Sequence, residues 1–307
     1  MYRHIEPLLW LRIWAEPDIC VAPNAKKSPG RKKYYTRNKQ VLPRRCDMKN
    51  FIKVYWKTLL FFAMIGLLGG FFTGIYVLDS YPADIKQQLL EELNGSGLGQ
   101  ISADILMGVI TAIQSAGYGI VLGAIGIWLG KKIGTWKDER AITKKPLAIS
   151  LVVSVVGGLA MILLDMLFFG QYSDVIMNSY ATKPTIPYLL ATVTYGAVIE
   201  EVMLRLFWIS LIAYVLHKLL EKKHDKPTAA ILIVANVIAS LLFAAGHLPA
   251  TAQLMGLTPV IIVRCFLLNG GLSLLFGWLY RKYGLRYSMI AHGGCHIVSK
   301  LIWILFI

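Results

Sequence analysis

Charge is the first thing this chain has little of: 16% of its 307 residues are Asp, Glu, Lys or Arg, and 17 acidic residues face 32 basic ones. With 56% hydrophobic residues, against roughly 45–50% in ordinary soluble domains, that scarcity excludes the usual water-facing surface. Cysteine is scarce too. Cys20, Cys46, Cys265 and Cys295 have no paired spacing, which excludes a disulfide framework or a zinc ribbon. A cleavable signal is missing, because the apolar stretch Leu8–Trp14 is short and no small-residue cleavage site follows it. Internal repeats and low-complexity tracts are absent as well.

What is present is a series of apolar runs of the length that crosses a hydrocarbon core of roughly 30 Å. They are Thr58–Leu78, Ile101–Leu129, Leu147–Phe169, Ile186–Phe207 with a helical continuation to Leu219, Thr228–Gly246, Pro259–Tyr280 and Leu285–Phe306. The expected fold is all-α, a polytopic membrane bundle of seven to eight transmembrane helices. The count depends on the fourth run, which is long for one straight span and divides in two if it breaks near Arg205. Between the first two spans, Asp84–Asn94 reads as a short interfacial helix. Gly66, Gly70 and Gly74 recur at every fourth position, a close-packing face.

Loop charge orients the bundle, since short loops rich in Lys and Arg stay cytoplasmic. Lys131–Lys145 carries six basic and two acidic residues, Lys218–Lys226 four and two, and Arg281–Arg286 three and none. The alternate loops are poor in base: Asp79–Gln100 has four acids and one lysine, Gln171–Thr185 one of each, and Leu248–Thr258 none. This predicts a multi-pass membrane protein with its N-terminus in the cytoplasm. Residues 1–47 form a basic arm, with 11 basic and 4 acidic residues of a chain whose net charge is +15. No nucleic-acid-reading domain accompanies the arm, so the expected partner is the bilayer and not nucleic acid. Met48-Lys49-Asn50-Phe51 before an apolar run also has the look of a natural start, which would make 1–47 an extension.

An ionisable side chain in mid-membrane costs about 2.5–3.5 kcal/mol on insertion scales, so each needs a partner or a task. Glu200, Glu201, Arg205, His247, His292 and His296 all fall in or at the ends of apolar runs. Adjacent helical residues point about 100° apart, so the two glutamates have different roles. Glu201 precedes Arg205 by four residues, the favourable order for a helical ion pair. Glu200 is left to face a site as a candidate general base. Phe243 stands one turn before His247, an aromatic wall beside an imidazole. Taken alone, a histidine at a helix end is more often a cap or a core residue. His292 and His296 share a helix face, a pair able to ligate zinc, to donate to an oxyanion or to relay protons. Counted from the span ends, Glu200 lies near mid-membrane, His247 toward the outside and His292 toward the inside. One site therefore requires tilted or broken helices.

These residues resemble the CPBP family of intramembrane proteases, which includes the CAAX endoproteases of the Ras-converting type and bacterial relatives linked to bacteriocin processing and self-immunity. Glu200-Glu201-Val202-Met203-Leu204-Arg205 is similar to the family's Glu-Glu-x-x-x-Arg, Phe243 to His247 to its Phe-x-x-x-His, and His292 to His296 to its His-x-x-x-Asn/Asp. The resemblance covers about 185–300. It implies first three membrane helices and their loops over 48–184 and a catalytic core over 185–307. It also implies a water activated by Glu200 and His247, an oxyanion stabilised by His292 and the residue at 296, and a membrane-bound peptide substrate, prenylated CAAX-like or bacteriocin-like. Glu201, Arg205 and Phe243 would support the site. His296 departs from the pattern: a neutral imidazole donates one hydrogen bond where an amide donates two.

The same departure suits a metal, because Glu200, His247, His292 and His296 form a donor set of the kind zinc takes. Metal-independent chemistry is the expectation, with zinc as the alternative. Two other classes of function stand beside the peptidase. One is an impaired binding or bacteriocin-immunity protein on the same scaffold, and the other a cation or proton transporter using the Glu/His cluster as a relay. The missing inverted repeat speaks against the transporter.

Overall fold

The computed structural model describes residues 48–95, 101–137, 141–221 and 223–307. The basic arm 1–47 and part of the Lys131–Lys145 loop lie outside the described residues. The chain divides into two units, Met1–Thr58 and Leu59–Ile307. In the first, the rings of Phe51 and Tyr55 meet at 5.0 Å.

Described secondary structure is helical throughout, and the fold is a polytopic membrane helix bundle. The helices are α1 (Met48–Asp79), α2 (Ala83–Gly95), α3 (Ala103–Ile133), α4 (Lys144–Leu167), α5 (Asp174–Ser179), α6 (Ile186–Ala191), α7 (Ser210–Leu220), α8 (Ala229–Met255), α9 (Pro259–Cys265), α10 (Gly271–Tyr283) and α11 (Leu285–Phe306). Six helical segments among the described residues are long and apolar enough to cross a membrane: Asn50–Asp79, Ala103–Ile133, Lys144–Gln171, Ala229–Met255, Pro259–Tyr283 and Leu285–Phe306.

The remaining predicted span is helical but is not one α-helix. After α6 the hydrogen bonding widens to π over Thr192–Glu200 and again over Val202–Ile209 before α7 begins. The break expected near Arg205 is corrected: the joints at Glu201 (φ −67°, ψ −38°) and Ser210 (φ −68°, ψ −39°) keep right-handed helical dihedrals. The span predicted to end at Gly246 also continues, through Pro249 to Met255. Pro249 lies inside the helix, where its missing N–H removes one backbone hydrogen bond, yet the helix runs on for six residues. His247 therefore stands two turns inside α8, not at its end.

Burial runs opposite to that of a water-soluble helix. On α4, Leu151, Val152, Val155 and Val156 are exposed while Ser150, Ser154, Gly157, Gly158 and Asp165 are buried. Such a helix keeps its apolar side for lipid and its small and polar side for neighbours. Small residues set the contacts. A Cβ at Gly66 would stand 2.7 Å from the Ser115 carbonyl oxygen, so the glycine face of α1 packs on the backbone of α3. A Cβ at Gly158 would stand 2.8 Å from the Cys295 carbonyl oxygen, which fixes α4 against α11.

At the end of the bundle away from the basic loops, Asp165 ties three elements together. Arg264 of α9 bonds it twice, Nε to Oδ1 at 2.6 Å and Nη2 to Oδ2 at 2.5 Å, and Tyr180 donates its hydroxyl at 2.7 Å. The indole N–H of Trp303 then donates to the Tyr180 carbonyl at 3.2 Å, adding α11. Cys265 and Cys295 are buried free thiols.

Candidate active site

Glu200 and Glu201 sit where one π stretch gives way to the next, and wide turns of this kind concentrate at functional sites. Their side chains find different surroundings. Glu201 is wholly buried, with Oε1 3.2 Å from Arg205 Nη1 and 2.9 Å from His292 Nδ1. Arg205 is 1% exposed. Its Nη2 donates to Ser273 Oγ at 2.9 Å, and its guanidinium lies between the rings of Phe243, at 5.0 Å, and Phe276, at 5.5 Å. The buried charge pair is thus held by its ion contact and by bonds to Ser273 and His292, while Glu201 Oε2 and Arg205 Nη1 have no hydrogen-bond partner.

His292 is placed by that pair. A carboxylate only accepts, so the Nδ1 facing Glu201 carries the proton. The ring is stacked on Phe276 at 4.7 Å, and Nε2 points toward the cavity, 3.8 Å from Glu200 Oε2 and 3.2 Å from His296 Nε2. With Nδ1 of a neutral His292 protonated, its Nε2 can only accept, and His296 Nε2–H is the donor. His296 Nδ1 is then the bare nitrogen, buried without a hydrogen-bond partner. The one proton that His296 holds is thus directed at His292.

His247 is fixed by its own helix. Its Nδ1 lies 2.9 Å from the Phe243 carbonyl, an acceptor, so Nδ1 is the donor and Nε2 keeps its lone pair. The Phe243 ring meets the imidazole edge to face at 4.5 Å.

Glu200, His247, His292 and His296 all line one cavity of about 730 Å³. The dispersal in depth counted from span ends is therefore overcome without a broken helix. Phe243 lines the cavity as well, whereas Glu201 and Arg205 stand behind His292. The cavity extends past Tyr76, Lys183, Leu254 and Trp303, all at the end of the bundle opposite the basic loops. Among the described residues, no group of three or more His, Cys, Asp or Glu side chains is arranged to hold a metal ion. Within that donor set His292 Nδ1 is bonded to Glu201 and the Nε2 atoms of His292 and His296 to each other, while His247 Nε2 keeps its lone pair and His296 Nδ1 has no hydrogen-bond partner.

Three residues were missed in the sequence. Ser273 and Phe276 carry no charge or motif that sets them apart, and only tertiary packing shows that they hold Arg205 and His292. Lys300 could have been found. It follows His292 and His296 at the same spacing on the last span, and it is 6% exposed.

The part of the chain that contains every one of these site residues except Lys300 matches a known family. Residues 182–298 match the family described as Rce1-like, type II CAAX prenyl endopeptidase. No curated protein and no solved structure matches the chain.

Proposed function

We propose that the chain hydrolyses a peptide bond of a membrane-associated substrate with a water activated by Glu200 and His247. The observation that carries this is the common cavity, in which a carboxylate, an imidazole with a free Nε2 and a His292 held by Glu201 all face one space. Water there is flanked by two groups able to take its proton and later return it to the leaving amine. The carbonyl oxygen would be received on the His292 side. The proton that Glu200 takes from the water can pass to His292 Nε2, 3.8 Å away, and the Glu201 carboxylate behind Nδ1 then stabilises the imidazolium, as a buried carboxylate does behind other catalytic histidines. Fixed donors in a water-poor cavity are worth far more than the same donors in water. Substrate would be prenylated CAAX-like or bacteriocin-like, and the chemistry metal-independent.

In purified protein with a peptide substrate, Glu200→Gln and His247→Ala each abolish cleavage while the protein still folds. Cleavage that survives both substitutions overturns the assignment. Chelation leaves wild-type cleavage intact, and loss of activity restored by zinc would move the chemistry to a metal.

One observation favours a second reading, an impaired binding or immunity protein on the same scaffold. His296 spends its proton on His292 and has none left for an oxyanion.

Alternating loop charge supports a cytoplasmic N-terminus. With that orientation the cavity opens on the outer face of the membrane.

A further inference from the structure

The end of the bundle that bears the basic loops repeats one pattern on three helices, an aromatic residue with a lysine four positions on. On α3 the Lys132 ammonium sits 3.8 Å from the Trp128 ring centre, on α7 that of Lys218 sits 5.9 Å from Tyr214, and on α10 that of Lys282 sits 5.1 Å from Trp278. Residues four apart share a helix face, so each lysine lies over its own ring. Two of the three pairs meet. The rings of Trp128 and Tyr214 are 6.3 Å apart, and Lys132 is also 5.7 Å from the Tyr214 ring, which brings two ammonium groups onto one tyrosine. Among the described residues, neither lysine has a hydrogen-bond or ion-pair partner, and neither does the Trp128 indole N–H or the Tyr214 hydroxyl. The next acid along α7, Glu221, already accepts from the Thr228 N–H and hydroxyl.

The seam between α3 and α7 thus offers four donors and two like charges. An anion between the two ammonium groups turns their repulsion into attraction. Trp128, Val215 and Leu219 are exposed, so the seam opens on lipid, and tryptophan and tyrosine rings mark the headgroup level of a membrane. We infer that this seam binds the phosphate of an anionic phospholipid, with Lys132 and Lys218 as its charge partners and Trp128 and Tyr214 as further donors. Val215 and Leu219 lie beside the acyl chains. A headgroup with its own ammonium, as in phosphatidylcholine, would bring a third cation to the same place. The seam shares no residue with the cavity and owes nothing to the peptidase reading. It does hold the helix behind the site, because α7 continues the π stretch Val202–Ile209, and a Cβ at Gly126 of α3 would stand 2.8 Å from the Leu206 carbonyl oxygen.

The test titrates purified protein in detergent with phosphatidylglycerol or with phosphatidylcholine of the same acyl chains, and native mass spectrometry counts the lipid retained. Wild type holds one phosphatidylglycerol about thirtyfold more tightly than phosphatidylcholine, roughly fivefold for each lysine beside an anionic headgroup. Lys132→Gln and Lys218→Gln each lose about fivefold of this preference, and together they bring it to about one. The paired lysine-to-arginine variant keeps it. Lys282→Gln, which removes one charge from the solitary aromatic pair on α10, stays within twofold of wild type. Both seam lysines are exposed, so the variants fold, and thermal unfolding gives a second reading. Phosphatidylglycerol raises the unfolding temperature of wild type and of Lys282→Gln, and leaves that of the double glutamine variant unchanged. No preference in wild type, or a preference intact in the double glutamine variant, overturns the site. An equal loss in Lys282→Gln would assign the lipid to the overall charge of the basic end and also overturns it. Equal stabilisation by inorganic phosphate would make the seam a site for a free anion and reject the lipid.

Discussion

At the scale of single residues the site turns on where each imidazole keeps its proton. Phe243 and Glu201 settle two of the three, because a carbonyl and a carboxylate can only accept, and both histidines therefore carry hydrogen on Nδ1. His296 has no such neighbour on Nδ1 and donates through Nε2 to His292. An amide at this position can donate to His292 or to substrate without choosing between them. His296→Asn is thus expected to raise kcat, by about tenfold or more given that one oxyanion donor is worth roughly 10²–10³. KM would change little. Steady-state kinetics on the purified variant measure this, and a fall in kcat would mean that the His292–His296 pair is itself the working arrangement.

At the scale of helices, glycines govern both packing and site, and two of them separate the effects. A Cβ at Gly70 would lie 2.5 Å from the Thr111 carbonyl oxygen, a backbone atom that can yield only if α1 and α3 part. A Cβ at Gly293 would lie 2.9 Å from Ala197 Cβ, on the π stretch that ends in Glu200. Gly70→Ala should cost about 1–3 kcal/mol of stability, the usual range for overpacking, and leave kcat near wild type. Gly293→Ala should instead lower kcat by about tenfold to a hundredfold, since displacing a reacting group by an ångström has effects of that size. Thermal unfolding in detergent and turnover, measured on both variants, separate the two, and equal losses of kcat would refute the distinction. The glycine face of α1 was legible in the sequence because a repeat at every fourth residue leaves few other meanings. So was the Glu201–Arg205 pair, a contact within one helix turn. The π stretches were not, for nothing in Thr192–Ile209 differs in pattern from an α-helix. Nor was the bond from Glu201 to His292, which joins residues 91 positions apart. The sequence puts His247 just past the apolar run Thr228–Gly246 and so at a helix end, whereas in the folded chain the helix continues to Met255.

At the scale of the whole molecule, the consequence concerns which side of the membrane supplies substrate. The basic loops close the ends of α3, α7 and α10, while Tyr76, Lys183, Leu254 and Trp303 surround the cavity at the other end. Basic loops are retained in the cytoplasm, and with three of them on one end the field at the membrane surface favours a single orientation. The cavity would then draw on peptides in or beside the outer leaflet. The apolar outer faces of the bundle give a lipid-borne chain a lateral approach. A membrane-impermeant fluorogenic peptide should therefore be cleaved by intact cells expressing the wild-type protein and not by cells expressing Glu200→Gln. Sealed inverted vesicles should cleave it only after detergent opens them. Cleavage by inverted vesicles with none by intact cells would reverse the orientation, placing the cavity mouth and its substrates in the cytoplasm while leaving the chemistry of Glu200 and His247 as proposed.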